Sequence, residues 1–158
     1  MRKLLSILLC LIMCILFVGC NSTKEIFVFD NLGIEVKMQI DETINVLHDD
    51  KAMLISNIKN NDALGVISVF KEKGKNINEI YDTYITGSDE ITKTELSDDL
   101  IFIDFINKVD SVMLGERVDK MYFFIFYDEN TETVLYGRFF ENCERDHVIS
   151  LAKSIEVS

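Results

Sequence analysis

The sequence predicts an α+β fold: a largely antiparallel β-sheet with two main helices packed on it, in an αβα-sandwich-like arrangement, preceded by an N-terminal signal helix. Three observations predict it. Apolar and polar residues alternate with period two through much of the chain. Two segments switch to the helical period. The chain opens with Arg2 and Lys3 followed by an apolar run.

The strands follow in order. Glu25 to Phe29 is rich in β-branched and aromatic residues, and Asp30-Asn31-Leu32-Gly33 supplies turn chemistry. Ile34, Val36, Met38 and Ile40 then alternate with polar residues, which predicts a half-buried strand and, with the run before it, a hairpin. Further strands are expected at Thr43 to Leu47, Ala52 to Ile58, Leu64 to Lys71, Ile91 to Leu96, Leu100 to Ile106, Arg117 to Tyr127 and Thr133 to Glu141. Met121 to Tyr127 is apolar throughout, so that strand is expected to be central and covered on both faces.

Asn76-Ile77-Asn78-Glu79 has the form of an N-cap followed by an acid at N3. Ile77, Ile80, Tyr81, Tyr84 and Ile85 then recur at helical spacing, and Gly87 stops the helix. A second helix is expected from about Glu144 to Ser154, with Val148, Leu151, Ala152 and Ile155 as its apolar stripe. Glu144 and Asp146 suit its first turn, and Lys153 its last.

The 158 residues are 48% hydrophobic and 27% charged, with a net charge of −11. That is one domain's length, and too apolar for a disordered chain. The acidic balance argues against nucleic acid as a partner, because phosphates demand a basic surface. Absence of Pro argues against a Pro-rich stalk.

The run from Leu4 to Val18 is 15 residues, interrupted only by Ser6. That suits the apolar core of a signal peptide and falls short of the ~20 residues of a membrane span. It leads into Leu16-Phe17-Val18-Gly19-Cys20, which resembles the lipobox of bacterial lipoproteins. Gly19 and Cys20 match; Phe17 stands where a Leu is usual, with Leu16 one place earlier. The resemblance implies cleavage between Gly19 and Cys20 and a diacylglyceryl group on the Cys20 thiol. It implies a lipid-anchored protein on the extracytoplasmic face of the cell membrane.

The organisation expected is therefore a signal peptide at 1–19, a short tether at 20–24 carrying lipidated Cys20, and one domain at 25–158. Cys10 and Cys14 would be removed with the signal, so Cys143 is left without an intramolecular disulfide partner. Removing Arg2 and Lys3 leaves 14 basic residues against 27 acidic, a net charge of −13.

The element order is similar to the PsbP/Mog1-like group of small domains. The Ile34 to Ile40 strand, the Ile77 to Ile85 helix, the Met121 to Phe140 hairpin and the Val148 to Ile155 helix carry the resemblance. It has no sharp motif, and the Pro and Trp that members often place in an early strand are missing. It implies binding or assembly work.

No nucleophile elbow, phosphate-binding loop, dinucleotide fingerprint or H-E-x-x-H motif is present. His48-Asp49-Asp50 reads as an exposed acidic turn in preference to the edge of a metal site, and Asp98-Asp99 and Asp128 to Glu132 as solvated turns in preference to Ca²⁺ loops. Asp104 interrupts an apolar strand: it faces a pocket or pairs with Lys or Arg across the sheet, Arg138 being a candidate, and reads as a structural pair or an exposed edge in preference to a catalytic carboxylate. A Cys143–His147 dyad needs the last helix to begin at Cys143, so Cys143 reads as a structural thiol. The aromatics of residues 122–140 read as core on both faces of a central sheet, with an apolar or sugar-stacking groove as the rival. Lys71, Lys73 and Lys75 form the one basic run, a solvated loop or a membrane-facing patch.

No catalytic residue, metal ligand or cofactor is assigned. The expected function is a lipid-anchored envelope protein, a non-enzymatic binding or accessory module whose partner is an envelope protein or small ligand. The rivals are an envelope hydrolase using acidic residues, with or without a metal, and an immunity-like or structural surface protein.

Overall fold

The computed structural model describes residues 22–85, 90–111 and 115–158. The signal segment at 1–19, with Gly19 and Cys20, lies outside the described residues. No helix among the described residues is long and apolar enough to cross a membrane.

Ten strands and two short helices are described, in the order β1 Ser22–Phe29, β2 Ile34–Asp41, β3 Ile44–His48, β4 Ala52–Asn57, β5 Ala63–Lys71, α1 Ile77–Tyr84, β6 Glu90–Ser97, β7 Leu100–Ser111, β8 Gly115–Asp128, β9 Thr133–Phe140, α2 Arg145–Lys153 and β10 Glu156–Val157. They form two sheets, antiparallel throughout: three strands in the order β1-β2-β10, and seven in the order β3-β4-β5-β9-β8-β7-β6.

This corrects the expected α+β sandwich. The protein is mostly β: α1 lies on one face of the large sheet, and the other face is covered by a second sheet with α2 beside it. The reason lies in β2. Its alternation buries Ile34, Val36, Met38 and Ile40, as expected, but its second edge pairs with β10 and not with β3. The hairpin of β1 and β2, turned through Gly33 at φ +65°, therefore stands apart as a separate layer. That layer takes the place of a helix.

The large sheet is buried on both faces by different partners. One face packs Met53, Ile55, Ile67, Phe102, Phe124 and Leu135 against Phe27, Phe29 and the inward row of β2, with Val148, Leu151 and Ala152 of α2 completing the core. Gly65 and Gly137 lie on this face. A Cβ on Gly65 would meet the Phe139 ring, and one on Gly137 would collide with the Phe124 ring, so glycine is what lets those rings lie flat on the sheet. The other face carries Ile101, Ile103, Phe123, Ile125, Tyr127 and Val134, covered by α1 through Ile80.

The cap signal of the first helix read correctly, while its expected stop at Gly87 lies outside the described residues. Asn76 Oδ1 accepts from the Asn78 and Glu79 amides at 3.0 and 3.1 Å, and Glu79 Oε2 accepts from the Asn76 amide at 2.8 Å. This is a complete capping box. α2 begins at Arg145 with no side-chain cap, one residue later than expected.

Candidate functional site

α1 spans only eight residues, about 12 Å at 1.5 Å per residue. It cannot roof a seven-stranded sheet. Beyond its C-terminal end the sheet face opens into a cleft of about 280 Å³ lined by Tyr84 and Ile85 of the helix region, Phe105 of β7, Met121 and Phe123 of β8, and Tyr136 and Arg138 of β9. Strand alternation places these side chains together: Phe123 pairs with Arg138, and Met121 pairs with Phe105, so all point to the α1 side.

The walls are aromatic. Phe123 and Tyr136 stack at 5.9 Å between ring centroids, Phe105 meets Phe123 edge-on at 5.5 Å, and Tyr84 tilts against Phe70 and Tyr136 at 5.2 and 6.1 Å. Two polar groups stand on this surface. The Tyr136 hydroxyl has no hydrogen-bond partner among the described residues. Burial pushes its pKa up, and the Arg138 charge acts in the opposite direction. Arg138 makes no ion pair among the described residues; its guanidinium contacts the Met121 sulphur at 3.9 Å. Tyr84, by contrast, donates to Glu72 Oε1 at 2.6 Å, and that bond pushes the Tyr84 phenol up to about 12. The cleft thus offers aromatic faces with a cation and a phenol that have no ion-pair or hydrogen-bonded oxygen partner among the described residues. That set suits an amphipathic ligand with an anionic group.

The expected partner of Asp104 is corrected. Arg138 lies on the opposite face of the sheet. Asp104 pairs across the ladder with Tyr122 and receives Arg145 from the start of α2, Nε to Oδ1 at 2.8 Å and the second guanidinium nitrogen to Oδ2 at 2.9 Å. The guanidinium also lies 4.9 Å from the Phe102 ring centroid. The hydrogen bond to Asp104 raises the Arg145 pKa. This is a clamp between helix and sheet that commits the carboxylate.

The remaining residues singled out from sequence fall as follows. The Cys143 thiol is buried and pushed up to about 11 by desolvation, so it is not poised as a nucleophile. His147 faces Glu144, Nε2 to Oε2 at 3.9 Å. His48 sits edge-on to Phe27 at 5.5 Å. Asp49 caps its own turn through the amides of Lys51 and Ala52, which lower its pKa. The two acidic turns, read as separate in the sequence, meet around one depression of about 300 Å³ that also includes Lys75 and Asn76. Among the described residues no three His, Cys, Asp or Glu side chains are grouped to hold a metal ion.

The basic run is largely engaged. Lys71 donates to the Thr131 carbonyl at 2.6 Å and to Thr133 Oγ1 at 3.1 Å, and Lys75 pairs with Glu72 at 3.1 Å, leaving Lys73 exposed. Its location matters as much. Ser22 lies beside Ile44 and α2, at the end of the large sheet where β4 turns into β5. Lys71 ends β5 at the opposite end, beside the β8–β9 turn. The nine residues of β5 put about 26 Å between those ends.

No protein-family model matches the chain, and no curated protein matches it in sequence.

Proposed function

We propose that the chain is a lipid-anchored envelope protein of the extracytoplasmic face that acts as a binding or accessory module, with the cleft beside α1 as its ligand site. The observation that carries the reading is the order of the first 22 residues. Arg2 and Lys3, the apolar run and Gly19-Cys20 stand in lipoprotein register, and β1 begins at Ser22, two positions after the cysteine that would be acylated. Two acyl chains on one cysteine supply the double anchor that stable attachment needs.

The binding half of the reading is supported by the cleft, which combines aromatic walls with a guanidinium that makes no ion pair among the described residues. The test of anchoring is metabolic labelling with a fatty acid in a bacterial host. The wild type takes up label and fractionates with membranes; Cys20→Ser does neither. Equal labelling of Cys20→Ser overturns the anchoring reading. The test of the cleft is a screen of aryl and alkyl carboxylates against the full chain in lipid nanodiscs. Arg138→Gln should weaken any carboxylate that binds there by about tenfold. Unchanged affinity removes the cleft from the reading.

A further inference from the structure

The three-stranded sheet turns its inward face to the core and its other face to the outside. On the outside β1 presents Lys24, Ile26 and Val28, aligned with Gln39, Lys37 and Glu35 of β2. Ile26 is 56% exposed and Val28 48%, while Phe27 and Phe29 between and beyond them are buried. Two β-branched apolar side chains thus stand in water on one strand. Around them the charges cancel: Lys24 binds Glu156 at 2.7 Å and Lys37 lies 4.0 Å from Glu35, in a chain whose net charge is −11. Lys24 also shares a polar depression of about 370 Å³ with Ser150, Lys153 and Ser154 of the α2 region. The strand that bears Ile26 and Val28 is the one that leaves Cys20.

We propose that this outer face of β1 and β2, flanked by Lys153, is a membrane-docking surface that lies flat on anionic lipid head groups. The inference rests on acylation at Cys20, which fixes the start of β1 at the bilayer. From there a strand of eight residues runs about 23 Å across the domain, so one face of the small sheet is held near lipid along its length. Ile26 and Val28 reach the boundary between head groups and acyl chains, where apolar surface is favoured. Lys24 and Lys37, neutralised by Glu156 and Glu35, add no repulsion at head-group depth, and Lys153 beside them is the cation that anionic lipid attracts. The free edge of β1 remains at that depth too, so its backbone groups keep water as partner. Charge decides the choice of face: an acidic domain held within a Debye length of an anionic surface turns its neutral side inward. The exposed pair Leu47 and Leu54 stands on the far side of the large sheet and is not in competition for the lipid. In this orientation the α1 cleft points away from the membrane.

The chain has no Trp, so one introduced indole reports one place. The full chain, lipidated in a bacterial host, is reconstituted in vesicles of phosphatidylglycerol and phosphatidylcholine with or without brominated acyl chains. Ile26→Trp and Val28→Trp are compared with Lys73→Trp at the far end of the sheet. The expected result is a shift of emission to shorter wavelength and a loss of intensity to bromolipid at positions 26 and 28, with neither at 73. Protein that takes up no fatty acid and does not float with vesicles overturns the anchoring reading, and docking falls with it. Lipidated protein that floats, with positions 26 and 28 quenched no more than 73, overturns docking alone. Shielding at 26 that follows protein concentration and ignores bromolipid assigns the face to a second copy, and overturns docking as well.

Discussion

The two faces of the large sheet are built from the same strands and end up with different characters. On the face toward the small sheet, two layers and a helix close over the core, and rings such as Phe124 and Phe102 lose all contact with water. On the α1 face a single eight-residue helix covers the centre, and the surroundings stay open: Leu47 is 61% exposed and Phe140 43%. Period-two alternation gives both faces comparable apolar content. What separates them is how much chain is left to cover each. Closure yields stability on one side; partial cover leaves reachable aromatic surface on the other.

The largest effect should come from the closed face. Phe124→Ala removes a fully buried ring and should cost about 3–5 kcal/mol in denaturant unfolding. A loss under about 1 kcal/mol would mean that this face is no better packed than its opposite. Gly137→Ala comes next. The added methyl meets the Phe124 ring, and the overpacking should cost about 1–3 kcal/mol without altering α1.

The open face should give smaller and more local responses. Asn76→Ala breaks the capping box and should cost about 1 kcal/mol. Amide exchange should quicken in α1 and at the cleft, while the strands facing the small sheet stay protected. Uniform acceleration over both faces would show that they open together. Breaking the clamp by Asp104→Ala should cost about 0.5–1 kcal/mol, since Arg145 remains 42% exposed. The smallest effect concerns pH. The bond from Tyr84 to Glu72 holds the phenol pKa at about 12, above its ordinary value of 10.0. A raised pKa stabilises the fold fully below 10 and loses that contribution as pH climbs toward 12. Tyr84 is exposed enough for solvent to screen the bond, so Tyr84→Phe should lower stability by under about 1 kcal/mol at neutral pH. The gap between the two proteins should shrink across the alkaline window, as followed by unfolding curves at stepped pH.

Much of this was legible in the sequence. The alternation of Ile34 to Ile40 gave the inward row of β2, and Asn76 to Glu79 gave the cap of α1. The partition into two sheets was not legible, because a period of two shows which residues share a face and not which strand lies alongside. β10 is two residues long and has no period to read. The pairing of Asp104 failed for a related reason. Arg138 is on β9, separated from β7 by β8, and parity places it opposite Phe123, on the wrong face. Arg145 sits in the first turn of α2, where only the docking of that helix brings it to Asp104. Reading the aromatics as core on two faces held for Phe124, Phe139, Phe123 and Tyr127. A groove over these aromatics was the rival reading; its position could not be read, because it opens only where a short helix stops.

β10 has a kinetic consequence. It pairs Glu156 with Lys37 and Val157 with Val36, and Lys24 reaches Glu156 across 132 positions of chain. The small sheet is thus completed by residues 132 positions apart. During synthesis β1 and β2 emerge before β10 and form a hairpin, but the second edge of β2 stays open until residue 157 has followed. Contacts of such long sequence separation form slowly, and an open strand edge invites pairing with another chain. For most of its emergence the chain therefore carries an unpaired β2 edge. A chain stopped before Glu156 would keep that edge for good, and would be caught by aggregation or proteolysis ahead of any loss in the large sheet.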